Sequence, residues 1–204
     1  MTWIKICGIT DISTAQHVCK QGADAIGFVF AESKRAISVE QASVICKMLP
    51  DKIKKIGVFV NREQEDLRST FKFCQLDMVQ LHGEESSEFC SSLKLPYIKA
   101  LRIQDEADLE NIDSYPDATA ILLDSFKPEQ RGGTGLTFPW KLANKAKKRR
   151  DKLILAGGLH VDNVQQAIKE SRAWGVDVSS GLETAGRKDL QKISDFIAKV
   201  RLSS

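Results

Sequence analysis

Apolar residues fall along the chain in short, nearly unbroken runs. Between the runs lie longer stretches where apolar residues return every three or four positions. The short runs read as strands buried on both faces: WIKIC (3–7), DAIGFVF (24–30), IKKIGVFV (53–60), DMVQLH (77–82), YIKAL (97–101), TAILLD (119–124), KLILA (152–156) and WGVDVSS (174–180). The longer stretches read as amphipathic helices. DISTAQHVCKQGA carries Ile12, Ala15 and Cys19 on one side, and SVEQASVICKML opens with Ser38 and Gln41 in capping-box spacing. Further helices are expected at NREQEDLRSTFKFC, EESSEFCSSL, DEADLENI, FPWKLANKAKK, HVDNVQQAIKES and DLQKISDFIAKV, with Pro139 in a first helical turn. Eight successive strand–helix units in a chain this short predict an α/β fold, a single-domain (β/α)8 TIM barrel over residues 1–204. An open doubly wound sheet is the alternative, because counting strands does not prove closure. In a barrel the active site sits at the C-terminal strand ends. Two connections carry extra residues there, AESKRAIS after the second strand and SFKPEQRGGTGLT after the sixth, and loops of that length tend to be functional.

Composition narrows the function classes. With 42% hydrophobic and 28% charged residues the chain has the make-up of a globular domain, and no apolar run is long enough to span a bilayer. The N-terminal stretch lacks the features of a secretory leader, so a cytoplasmic location is expected. The five cysteines, Cys7, Cys19, Cys46, Cys74 and Cys90, form no C-x-x-C pair, which predicts free thiols rather than disulfides or zinc. A net charge of +3 mildly favours anionic ligands. The basic run KLANKAKKRRDK reads as the solvated face and last turn of a helix, not as a nucleic-acid site. The expected partner is therefore a small-molecule substrate, with no nucleic acid, membrane or obligate protein partner, and the chain is expected to be a monomer.

Reading only the strand ends and the loops that follow collects Cys7, Arg35, Asn61, Gln80, His82 and Asp124 on one rim. After strands seven and eight come the glycine- and serine-rich turns AGGL and DVSSGLE. Their Gly157, Gly158, Ser179, Ser180 and Gly181 can present backbone N–H groups to a phosphate, as these two loops commonly do in such barrels. A substrate held between Cys7 and Asp124 could be protonated on one side and deprotonated on the other. Each residue also has a plainer reading. A free cysteine is most often a small buried hydrophobe, Asp124 could cap a helix, and His82 could make a structural hydrogen bond. Only three histidines, His17, His82 and His160, are present, which disfavours a metal site.

Taken together, KICGIT, GADAIGFVFAESKRAIS, GVFVN, VQLHG, LLDS, GGTGLTFPW, LAGGL, GVDVSSGLE and GRKD resemble, in order, the motifs of the phosphoribosylanthranilate isomerase family of tryptophan biosynthesis. That resemblance implies a (β/α)8 barrel performing an Amadori rearrangement without metal or organic cofactor. It implies Cys7 as general base and Asp124 as general acid, with Arg35 on the anthranilate carboxylate. Gly157, Gly158, Ser179, Ser180 and Gly181 would form the phosphate cradle. Looser substrate-binding roles follow for His82, which would orient neighbouring groups, and for Asp177, which would support the mouth of strand eight. The chain departs from the pattern in the FPW that follows GGTG, where an aspartate is expected in the middle position. Rival readings are an indole-glycerol-phosphate synthase, which needs a lysine acid at the strand ends, and a metal-dependent sugar-phosphate epimerase.

Overall fold

A computed structural model describes residues 1–125 and 140–203. Its eight parallel strands are β1 (Trp3–Cys7), β2 (Ala25–Val29), β3 (Lys54–Phe59), β4 (Met78–Leu81), β5 (Tyr97–Ile103), β6 (Ala120–Ser125), β7 (Leu153–Leu155) and β8 (Gly175–Val178), which close into a barrel in chain order. Closure comes from the pairing of β1 with β8, Trp3 opposite Gly175 and Lys5 opposite Asp177. The open-sheet alternative is thereby removed.

Around the barrel lie α1 (Ile12–Gln21), α2 (Val39–Lys47), α3 (Gln64–Phe73), α4 (Ser87–Ser92), α5 (Trp140–Ala146), α6 (Val164–Ser171) and α7 (Leu190–Leu202). Their ends follow local chemistry. Asp11 Oδ1 accepts from the Thr14 amide at 2.8 Å at the start of α1, and Gly22 ends that helix at φ 86°. Ser38 and Gln41 form the expected reciprocal box, Gln41 N to Ser38 Oγ at 3.1 Å and Ser38 N to Gln41 Oε1 at 3.3 Å.

Strand alternation sorts the core into two shells. Ile4, Ile6, Ile26, Phe28, Leu81, Leu123 and Val178 pack outward under the helices. Ala25, Ile56, Ile98, Ala120, Leu122 and Ile154 form a separate cluster in the barrel interior. Polar and titratable residues interrupt the inward-facing set on β1, β4, β6 and β8, and those interruptions make the site.

The structure differs from expectation in two places. DEADLENI forms a 3-10 helix, Ala107–Ser114. Asp108 Oδ2 accepts from the Gln104 amide at 2.6 Å and Asp105 Oδ1 from the Ala107 amide at 2.9 Å, turn chemistry that competes with the α-helix. Beyond β8, a two-stranded ribbon of β9 (Glu183–Thr184) and β10 (Arg187–Lys188) was not expected. Its turn places Ala185 at φ 50° and Gly186 at φ 77°. Part of the basic run is paired where it lies. Lys145 Nζ meets Glu106 at 2.6 Å, Arg149 pairs with Asp113, and Arg150 donates to the carbonyls of Pro116 and Ala118. All five cysteines are free and buried. Among the described residues no helix is long and apolar enough to cross a membrane. The extra residues after β6 and Pro139 lie outside the described residues.

Candidate active site

The C-terminal strand ends enclose a cavity of about 330 Å³. β1 contributes Cys7 and β6 contributes Asp124, three strands apart round the ring through β7 and β8. β4 and the residue after it bring Gln80 and His82, and β8 brings Asp177. Arg35, Gly157, Gly158, Ser179 and Ser180 complete the wall from the loops. Of the residues singled out in the sequence, Asn61 and Gly181 do not line this cavity. The Asn61 amide donates to Glu85 Oε1 at 2.9 Å, and its side-chain oxygen accepts from the Glu84 amide at 2.7 Å. Gly181 stands behind the wall, where a Cβ would lie 1.9 Å from the Leu159 carbonyl oxygen. Without a Cβ the two loops can approach closely there.

On the β6 side, Asp124 Oδ2 lies 3.1 Å from His82 Nε2, and His82 Nδ1 lies 3.0 Å from Gln80 Nε2. An amide nitrogen can only donate, so Nδ1 accepts and Nε2 carries the proton given to Asp124. His82 therefore positions the carboxyl, while Asp124 stays about a quarter exposed to the cavity. His82 thus lines the cavity beside Asp124 and is tied to it.

On the β1 side, burial pushes the Cys7 thiol above its ordinary pKa, the ammonium of Lys5 pulls it back, and the carboxylate of Asp177 adds to the rise. Lys5 is completely buried, with Nζ 3.0 Å from Asp177 Oδ1. Burial opposes the lysine's charge, but Asp177 and Cys7 outweigh it and hold its pKa above the usual value. Asp177 is thus the counter-ion of Lys5, which the sequence reading passed over. The available signal was strand alternation: Lys5 is two residues before Cys7 and must face the same way.

Arg35 reaches the mouth across Gly8, where a Cβ would stand 2.6 Å from Arg35 Cδ and 3.0 Å from Ser179 Oγ. Its Nε and Nη2 donate to the two oxygens of Glu183 at 2.6 and 2.8 Å, a bidentate pair that leaves other guanidinium N–H groups for a ligand. Lys188 Nζ joins the same carboxylate at 2.8 Å and also reaches the Ser179 carbonyl at 2.9 Å. Hydrogen bonds from Arg35, with Lys188 behind them, hold Glu183 down to a pKa of about 2. Glu183 and Lys188 come from the ribbon that sequence patterning missed.

Gly157 and Gly158 line the cavity with φ values of 79° and 66°, left-handed backbone that favours glycine. Asn163 fixes this turn, donating from Nδ2 to the Gly158 carbonyl at 2.9 Å and accepting from the His160 amide at 2.9 Å. Across from it, Ser179 Oγ donates to the Cys7 carbonyl at 3.0 Å. The cavity therefore has a guanidinium, a glycine- and serine-rich turn pair, a thiol and a carboxyl around one space. It can hold a dianion at one end and a carboxylate at the other while protons move between.

Residues 4–199 match the family model for N-(5'-phosphoribosyl)anthranilate (PRA) isomerase. A Bacillus thuringiensis (strain Al Hakam) protein named N-(5'-phosphoribosyl)anthranilate isomerase is 48% identical over 199 residues, covering 97% of each chain. Among solved structures, monomers of the dimeric phosphoribosylanthranilate isomerase from Thermotoga maritima superpose with a TM-score of 0.88 at 40% identity, covering 98% of this chain and 99% of that one. A phosphoribosyl anthranilate isomerase in complex with reduced 1-(o-carboxyphenylamino)-1-deoxyribulose 5-phosphate gives a TM-score of 0.89 at 40% identity, with the same coverage.

Proposed function

The chain belongs to the N-(5'-phosphoribosyl)anthranilate isomerase family, and on that premise we propose that Cys7 and Asp124 are the base and the acid of its reaction. The reaction is the Amadori rearrangement of N-(5-phosphoribosyl)anthranilate to 1-(2-carboxyphenylamino)-1-deoxyribulose 5-phosphate, an isomerisation of tryptophan biosynthesis. Asp124 protonates the ribose ring oxygen and the ring opens to a Schiff base. Cys7 then removes the proton from C2, and the resulting enolamine tautomerises to the ketose. Arg35 holds the anthranilate carboxylate, and the amides of Gly157, Gly158, Ser179 and Ser180 hold the phosphate. These two remote anionic grips fix the reacting carbons between acid and base, so binding energy far from the chemistry is used to orient it.

The observation that carries this reading is that Cys7 and Asp124 face one cavity from separate strands, each with its own supporting charges or hydrogen bonds. The test is turnover of freshly made substrate, followed by loss of its fluorescence. Cys7→Ala and Asp124→Asn are each expected to lower turnover by about 10²–10⁴-fold with unchanged thermal unfolding. Near-normal turnover in either folded variant removes that residue from its role. Arg35→Ala is expected to act mainly on KM.

Side chains alone move every proton in this scheme, so turnover is expected to survive exhaustive dialysis against a chelator. Every group named comes from one chain, so one copy suffices for the chemistry, and we propose a monomer in the cytoplasm as the working unit. Light scattering should give a particle of 22.7 kDa, and twice that mass would overturn the monomer.

A further inference from the structure

The ammonium of Lys5 can donate three hydrogen bonds, yet among the described residues its one oxygen partner is Asp177 Oδ1 at 3.0 Å. In a fully buried site the remaining donors must face something. Opposite β1 stands Gly27, paired in register with Cys7. A Cβ at Gly27 would lie 2.8 Å from Cys7 Sγ and 3.0 Å from Lys5 Nζ. Sulfur and ammonium therefore share the hollow above one glycine, no more than about 6 Å apart, within the range where opposite charges favour ionisation. The other charged groups round Cys7 are Asp177 from β8, Lys188 from β10, and Arg35 from the loop after β2. Glu183 of β9 is committed to those last two cations, and Asp124 and His82 stand across the cavity.

We propose that Lys5 is a positioning residue that offsets the burial of the Cys7 sulfur and so favours its thiolate, and that Asp177 limits this pull by sharing the ammonium. The inference rests on Cys7 being the base. During proton abstraction the C2–H electron pair becomes the C1–C2 double bond, the Schiff-base nitrogen loses its positive charge, and the thiolate becomes S–H. Lys5 keeps its proton throughout, so its work is done before the step. A buried thiol without a neighbouring cation would reach the substrate protonated and unable to take the proton.

The test is the pH profile of Cys7 alkylation by iodoacetamide in the intact chain, read by mass spectrometry on the peptide that carries Cys7. Lys5→Met should move the midpoint up by about one pH unit or more, and Asp177→Asn should move it down. Because Lys5→Met alone strands a buried carboxylate, Lys5→Met/Asp177→Asn is measured beside Asp177→Asn, and the double variant should have the higher midpoint. A merely structural pair would move both single variants in the same direction or neither. A midpoint within about 0.3 unit of the wild type in Lys5→Met, and of Asp177→Asn in the double variant, overturns the inference. The acid limb of kcat/KM should follow the alkylation midpoint in each variant. If alkylation shifts and that limb does not, the link between Lys5 and the sulfur stands and Cys7 loses its place as base.

Discussion

Among the described residues two lysines lie fully inside this barrel protein, each in the middle of an apolar strand and each paired with a carboxylate, but their surroundings differ. Lys99 of β5 faces outward, and its Nζ meets Glu85 Oε2 at 2.7 Å, the Gly83 carbonyl at 2.6 Å and the Leu81 carbonyl at 3.5 Å. Glu85 in turn accepts from the amides of Asn61 and Gly83 at 2.9 and 3.0 Å. Three donors have three acceptors, and the carboxylate is saturated as well. Lys5 faces inward with one oxygen and a sulfur neighbour. A saturated buried pair ties loops together, whereas an unsaturated one keeps charge available for a third group. The identity of the pair does not tell these apart; the count of acceptors does.

The largest expected effect breaks the saturated pair. Lys99→Met leaves Glu85 buried, charged and hydrogen-bonded only to neutral partners, which should cost about 3–5 kcal/mol in urea unfolding. The Cys7 alkylation midpoint should stay at the wild-type value in the folded fraction, since Lys99 serves only the wall. A shifted midpoint would mean that the two pairs communicate, and the contrast would fail.

The same contrast shows which parts of the molecule were legible beforehand. All eight strands were readable because a parallel strand buried on both faces writes a short run that is mostly apolar. Cys7, Asp124 and the Gly157–Gly158 turn were readable because a barrel delivers strand ends to one rim. The pairing of Lys5 with Asp177 was not, because the two are 172 positions apart. Arg35 was placed on the rim, but its anchor Glu183 is 148 positions on, in a ribbon too short to leave a pattern. Local periodicity carries burial and direction; it does not carry which distant charge neutralises which.

Next in size is the anchor of Arg35. Glu183→Gln removes the anion shared by Arg35 and Lys188, and it should raise KM by roughly tenfold, about 1.4 kcal/mol, while kcat changes little. The sign on stability follows from the depressed pKa. A carboxylate held at about 2 against an ordinary 4.5 contributes stability that is fully present above pH 4.5 and lost as pH falls toward 2. Acid unfolding of Glu183→Gln should therefore be flatter across that window. An equally steep curve would show that Glu183 is not held by its cations in solution.

Gly27→Ala tests the unsaturated pair by crowding it, since the added methyl would meet Sγ and Nζ at 2.8 and 3.0 Å. The long lysine chain can yield, so the cost in stability should stay near 1–2 kcal/mol. Moving Nζ from the sulfur should nevertheless raise the alkylation midpoint in the same direction as Lys5→Met. The same alanine placed at a saturated pair would change stability without changing reactivity.

The smallest effect is expected at Gln80, a buried amide whose Oε1 has no partner among the described residues. Replacing it with leucine removes the hydrogen bond to His82 Nδ1 and the orphaned oxygen together, so the two changes nearly offset and stability should move by less than about 1 kcal/mol. His82 then loses the donor that makes Nε2 its N–H nitrogen, and its ring is free to turn away from Asp124. Turnover should fall by roughly five- to tenfold at constant KM, because the carboxyl is less often aimed at the ring oxygen. Asp124→Asn in the Gln80→Leu background should add no further penalty from this source beyond that of Asp124→Asn alone. Full additivity of the two losses would mean that Gln80 acts on something other than the acid.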